Sequence, residues 1–206
     1  MGPYKYHKRY DSVGTFSFDW NAELPSFVQE VFVEIRGPGA SGSGSNKNQY
    51  GGAGAGGAFI ASRIARPSSN ISPVEVGAGG VSIAANTQSD GNPGGSSSFG
   101  SVSAYGAGGG LAPPAEGTPG DGGTPGIAAS GGYDYFWVPG GMGDASCPAL
   151  GGINYSCPRG GNGALGGEGG HNHQGGTFPG GGGAPGNKNF PSGEGARGQV
   201  DVYATW

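Results

Sequence analysis

Positive charge is scarce in this chain: Lys and Arg together supply 10 of 206 residues, against 14 Asp and Glu. Its one concentration is Lys5, Lys8 and Arg9 in the opening MGPYKYHKRY. A nucleic-acid surface needs a basic stripe to neutralise phosphates, so no nucleic-acid partner is expected. Long apolar runs are missing too. No stretch approaches the roughly 20 apolar residues of a membrane span, and the first residues lack the apolar core of a secretory signal. Neither membrane insertion nor a leader is expected. Histidine occurs at His7, His171 and His173 alone, and no G-x-S-x-G elbow or G-x-x-x-x-G-K-[ST] loop is present. The acids Asp121, Asp134, Asp144, Glu168 and Glu194 are scattered, and nothing selects a glycosidase-like pair among them. The expectation is a protein without catalytic residues or cofactor.

What fills the chain instead is glycine, 51 of 206 residues, with 16 prolines; the hydrophobic fraction is 33% and the charged fraction 12%. So much glycine raises the entropy cost of ordering and offers little apolar area against it. Disordered chains, however, are poor in aromatics and rich in charge, whereas aromatics here reach 10%. An ordered fold is expected.

The first part reads as β-structure. VGTFSFDW alternates, with Phe16, Phe18 and Trp20 on one face, and VQEVFVEIRG alternates with Val31, Val33 and Ile35 inward. The last residues, GQVDVYATW, alternate again with Val200, Val202, Ala204 and Trp206 on one side, as if both termini shared one sheet. No stretch has a helical pattern. Between these ends the glycines keep a register of three: Gly51, Gly54 and Gly57; Gly117, Gly120, Gly123 and Gly126; Gly160, Gly163, Gly166 and Gly169; Gly180, Gly183 and Gly186. Three residues per turn is the period of the polyproline II helix, which makes no internal hydrogen bonds. Its free backbone groups need partners. With no side chain at every third residue, neighbouring helices can approach closely enough to bond backbone to backbone. Collagen, the other three-residue solution, needs long uninterrupted triplets and three chains.

In order, TFSF, VFVEIRGPGASG, GGAGAGGAFIASRI, VGAGG at 76–80, GGSSSFG at 94–100, the glycine run at 106–110 and GQVDVYATW resemble the glycine-rich domain at the tips of tailed-bacteriophage tail fibres, over about residues 12 to 206. The resemblance implies a mostly β fold with essentially no α-helix: a β-framework of N- and C-terminal strands carrying a sandwich of polyglycine II helices. It implies one domain over 12–206, with a β-rich framework to 110, rods and loops at 111–198 and a closing strand at 199–206. Residues 1–11 match nothing in the family and read as a fibre-attachment peptide or an expression remnant. The implied function is a non-enzymatic adhesin at the distal tip of the virion's tail fibre, made in the host cytoplasm and acting outside it. Its implied partners are a trimeric fibre protein, or two further copies of itself, and a bacterial surface receptor, either an outer-membrane protein or a polysaccharide. A structural or ice-binding polyglycine II protein and a virion decoration domain are the rival readings.

Inserts with richer chemistry interrupt the rods, and loops on a rigid scaffold commonly carry binding. They supply the candidate receptor-binding residues: Tyr133, Tyr135, Phe136 and Trp137 in YDYFWVP; Asn154 and Tyr155; His171, Asn172 and His173 in HNHQ; Asn187 and Phe190 in NKNFPS. Adjacent aromatics on an extended segment cannot all point inward, so part of the Tyr133–Trp137 cluster should be exposed. Cys147 and Cys157, each followed by proline, are either a disulfide, whose loop closure would add about 2 to 3 kcal/mol, or two free thiols. They lack the four ligands of a structural zinc site. His171 and His173 could meet a transition metal in a threefold assembly, but receptor hydrogen bonds are the preferred role and no metal is expected.

Overall fold

Period-two alternation accounts for the strands. The computed structural model describes residues 4–46, 50–114, 121–129, 131–145 and 158–206. Val31, Val33 and Ile35 lie on the buried face of β3 (Glu30–Arg36). That strand is central to an antiparallel sheet in which β1 (Tyr6–Tyr10) pairs with β10 (Gln199–Ala204), then β3, β4 (Phe59–Ala65) and β9 (Tyr133–Val138). Val200 stands opposite Ile35 and Val202 opposite Val33, so the chain ends do share one sheet with their apolar faces in register. Trp206, expected on that face, lies beyond the strand and is 41% exposed. Residues 6–10, which the sequence sets apart from the domain, form the edge strand β1.

A second antiparallel sheet sets β2 (Gly14–Asp19) beside β5 (Ile71–Val76), β6 (Ser96–Phe99), β7 (Val102–Tyr105) and β8 (Ala128–Ala129). The two sheets enclose Phe18, Val33, Ile35, Val74, Phe99 and Val202. Phe18 meets Phe99 edge-on at 5.4 Å and Trp20 at 5.6 Å. Trp20 does not continue β2 as the alternation suggests. Asp19 accepts bonds from the Asn21 and Ala22 N–H groups and caps a four-residue helix, α1 (Trp20–Glu23), which turns the indole into the core, where Nε1 donates to Ser72 Oγ at 2.9 Å. Among the described residues no helix is long and apolar enough to cross a membrane.

The strands run straight on into glycine-rich rods. β3 continues as 37–46, β5 as 77–84, β7 as 106–113 and β9 as 139–145, while rods 50–58, 89–95, 121–127 and 191–198 return into β4, β6, β8 and β10. Within 111–198 the chain thus revisits the sandwich for β8 and β9. The period of three appears directly in the hydrogen bonds. In rod 50–58, Gly54 and Gly57 donate to Gly183 and Gly180; Ala53 and Gly56 to Asp144 and Gly141; Gly52 and Ala55 to Leu111 and Gly108. Every carbonyl from Gly52 to Ala58 also accepts a bond, from three other rods: 37–46, 121–127 and 158–164. The rod therefore has six neighbours, as in polyglycine II packing.

Glycine is needed for this approach, not for unusual dihedrals. Among the described glycines only Gly14, Gly100 and Gly180 have positive φ. A Cβ at Gly54 would meet the Ala40 carbonyl oxygen at 2.3 Å, and one at Gly56 the Asn162 oxygen at 2.0 Å. A residue inside the bundle shares each of its two bonds with a neighbour, so it has about one bond, worth roughly 1 kcal/mol net. Ordering its backbone costs about 1–2 kcal/mol. Hydrogen bonds alone therefore do not hold the rods together. Their close contacts and the covalent anchorage of rods to the packed sandwich supply the remainder.

Candidate functional site

Rod direction decides which loops meet. Rods leaving β3, β5, β7 and β9 all run away from the sandwich, so their outer ends, and the described loops there, gather at the far end of the bundle. Bonds between those loops fix the grouping: Asn86 N donates to the Asn187 carbonyl (3.2 Å), Ser192 N to the Ile83 carbonyl (2.9 Å), and Ile83 N to Ser192 Oγ (2.8 Å).

In that face, residues 171–174 form a tight turn. Gln174 N donates to the His171 carbonyl at 2.8 Å, and the two central residues both have positive φ, Asn172 at 47° and His173 at 69°. That is the type I′ pattern, for which glycine is the least costly residue. In a chain with 51 glycines this turn carries two side chains instead. Asn and His are among the non-glycine residues that tolerate this region best. His173 Nδ1 donates to the Pro185 carbonyl at 3.1 Å. A carbonyl only accepts, so in the neutral ring Nε2 is left as an acceptor.

The neighbouring loop is held from within. Asn187, 7% exposed, accepts on Oδ1 from the N–H groups of Asn189 (2.8 Å) and Phe190 (3.0 Å), and its own N–H donates to the Phe190 carbonyl at 3.0 Å. This loop sets the Phe190 ring on His173, with centroids 4.6 Å apart and planes 21° from parallel; Tyr50 lies tilted against the imidazole at 5.2 Å. The structure thus brings together His171, Asn172, His173, Asn187 and Phe190 from the sequence reading. It adds Tyr50, Asn86, Lys188 and Asn189, which that reading missed. The signal for Tyr50 is its position: like Phe190 and His173, it sits at the end of a glycine run. Asn154, Tyr155, Cys147 and Cys157 lie outside the described residues.

The aromatic cluster is elsewhere. Tyr133, Tyr135, Phe136 and Trp137 are not in a turn between rods but in β9, at the edge of the first sheet, where Trp137 stands opposite Ile60 and Phe136 opposite Ala61. Aromatics favour strands, and β4 offers an edge for them to pair with. All four are exposed, Phe136 at 58% and Tyr135 at 56%. Rod 139–145, at about 3.1 Å per residue, puts about 20 Å between them and the distal loops, so the two groups do not form one face. The Tyr133 hydroxyl donates to Glu30, which also pairs with Arg63, and these bonds hold the Glu30 carboxyl below its ordinary value.

The same sheet carries a buried charge centre. Asp201, whose side chain is 1% exposed, accepts from Arg9 Nε (2.7 Å) and His7 Nε2 (2.8 Å) on Oδ1, and from Arg36 (3.2 Å) and Gln199 on Oδ2. Burial acts to raise its pKa, but the bonds from Arg9, His7 and Gln199 outweigh it and hold the carboxyl low. Beside it the Tyr203 phenol is pushed up to about 12 by burial and by the Asp201 and Glu34 charges. At the end remote from the distal loops, Tyr4, Phe27, Phe32 and Trp206 line a groove of about 710 Å³. Among the described residues no group of three or more His, Cys, Asp or Glu side chains gathers as a metal site would.

Against known protein families, the chain matches the family described as a glycine-rich domain, over residues 11–205. Comparison with curated proteins gives no match.

Proposed function

This chain belongs to the glycine-rich domain family, and from that premise we propose that it is the receptor-binding tip of a tailed-bacteriophage tail fibre. In this reading it is a non-enzymatic adhesin of the virion that meets an outer-membrane protein or polysaccharide of its bacterial host. The observation that carries the reading is the distal loop face. A bundle cross-bonded in six directions ends in loops with exposed, chemically varied side chains, and one of its turns holds Asn172 and His173 at positive φ where glycine would be easier. Non-glycine residues kept in such a conformation cluster at functional sites. Loops on a rigid support also lose little freedom on binding.

The sandwich end takes the other role. Its exposed Tyr135, Phe136 and Trp137 and its aromatic groove face away from the receptor and are assigned to the fibre, whether a trimeric fibre protein or further copies of this chain. The test is adsorption of the labelled full chain to a panel of bacterial strains. Saturable binding to some strains and not others is expected; absence of binding throughout the panel would overturn the adhesin reading.

A further inference from the structure

Tyr50, His173 and Phe190 come from three separate segments and meet at the ends of their rods, Phe190 stacked on His173 and Tyr50 tilted against it. One side of Phe190 is backed by the imidazole, and the residue remains 51% exposed. Around it Asn172, Lys188 and Asn189 are exposed, and none of them is apolar. Among the described residues His173 Nε2 has no hydrogen-bond partner, while Nδ1 is engaged with Pro185.

We infer that Phe190 is a stacking platform for a pyranose ring of a bacterial surface glycan, with the imidazole of His173 backing the ring and the flanking Asn172, Lys188 and Asn189 side chains meeting the sugar's hydroxyls. The inference rests on the distal loops being the receptor-binding face, and it names the receptor's chemistry. A hexose presents a face of C–H bonds, weakly positive, that settles on the negative face of an aromatic ring. Its rim is all hydroxyl, and each hydroxyl taken from water needs a donor or acceptor in return. The site offers one flat ring, backed by the imidazole, with amide and ammonium groups around it, which matches both demands. A protein partner is served differently, by several large apolar side chains that close a desolvated pocket. Here Phe190 is the exposed ring of the group, and the side chains flanking it are polar. Asn187 is the positioning residue. Its bonds to Asn189 and Phe190 fix the loop before any ligand arrives, so the platform costs little to order.

The experiment uses the full chain on a strain that adsorbs it. Cells are oxidised with periodate, which cleaves vicinal diols of sugars, or digested with proteinase K, and polysaccharide released from the same cells is added as competitor. Binding should fall after periodate, survive the protease and be competed by the polysaccharide. Phe190→Ala should weaken it by about tenfold or more, whereas Phe190→Trp, which keeps a platform, should stay within about threefold. Both variants should melt with the wild type. Binding that resists periodate and is lost to the protease overturns the glycan assignment while leaving adhesion standing. Unchanged affinity of Phe190→Ala overturns the platform. Failure of the chain to adsorb to any strain overturns the adhesin reading and this one with it.

Discussion

The α-carbon of Gly54 lies so close to rod 37–46 that a methyl group on it would meet the Ala40 carbonyl oxygen at 2.3 Å and the Ser41 oxygen at 2.5 Å. Both obstacles are backbone held by further bonds, so neither can yield alone. Gly54→Ala should cost about 3 kcal/mol or more, or prevent folding. Gly95 is the control. A Cβ there would find nothing nearer than 3.6 Å, and its φ is not positive. Gly95→Ala should leave stability unchanged or raise it by up to about 1 kcal/mol, because the unfolded chain loses freedom. Urea melts of the two variants make the comparison; equal losses would mean that these glycines act through backbone freedom and not through close approach.

Acid should loosen the sheet that holds β1. The Asp201 carboxyl is depressed in the fold, so its contribution is whole above the ordinary value near 3.8 and is lost as pH falls through the lower folded value. Glu23, bonded by Lys8 and Tyr6, and Glu30 are depressed as well and act in the same direction. Asp201→Asn should cost about 1–3 kcal/mol at neutral pH by leaving Arg9 and Arg36 without their carboxylate. Its melting temperature should converge on the wild type's between about pH 4 and pH 2. A gap that stays constant over that range would show that Asp201 acts by shape and not by charge.

The 171–174 turn separates backbone from side chain. Asn172→Gly combined with His173→Gly supplies the residue the positive φ values favour, so stability should stay within about 1 kcal/mol of wild type. Adsorption to cells should nevertheless fall, because the side chains have gone. Full adsorption by this variant would remove the turn from the binding face.

The legible parts of the molecule were those written in a period. Alternation in VFVEIR and QVDVYA gives β3 and β10 and their shared buried face, and the glycine triplets give the rods. Loop membership was legible for His171–His173 and for Asn187 with Phe190, since each interrupts a triplet run. Two things were hidden. Tyr133 to Trp137 also interrupt glycines, yet whether such a segment turns or pairs depends on β4 presenting an edge to it, a contact distant in the chain. Tyr50 joins His173 only because rods 50–58 and 174–178 end at the same level, which follows from hydrogen-bond register and not from any local motif. Trp20 shows the same limit at short range: the Asp19 cap overrides the alternation that leads up to it.

The exposed β9 aromatics carry a separate expectation. Tyr135→Ser, Phe136→Ser and Trp137→Ser together should leave the rods and distal loops intact, since these side chains are already exposed. Capture of the purified fibre protein, followed by co-elution, should be lost. Normal capture would move the docking surface away from β9.

Adhesion by the distal loops, and not by the sandwich end, is tested most directly by one side-by-side measurement. Labelled wild type, the β9 triple variant, and a loop variant joining Asn172→Gly, His173→Gly and Phe190→Ala are titrated onto the same adsorbing strain, each shown by melting to be folded. The β9 variant should bind as the wild type does, and the loop variant should lose at least about tenfold in apparent affinity. The reverse pattern, with binding kept by the loop variant and lost by the β9 variant, would contradict the assignment and place the receptor at the aromatic strand.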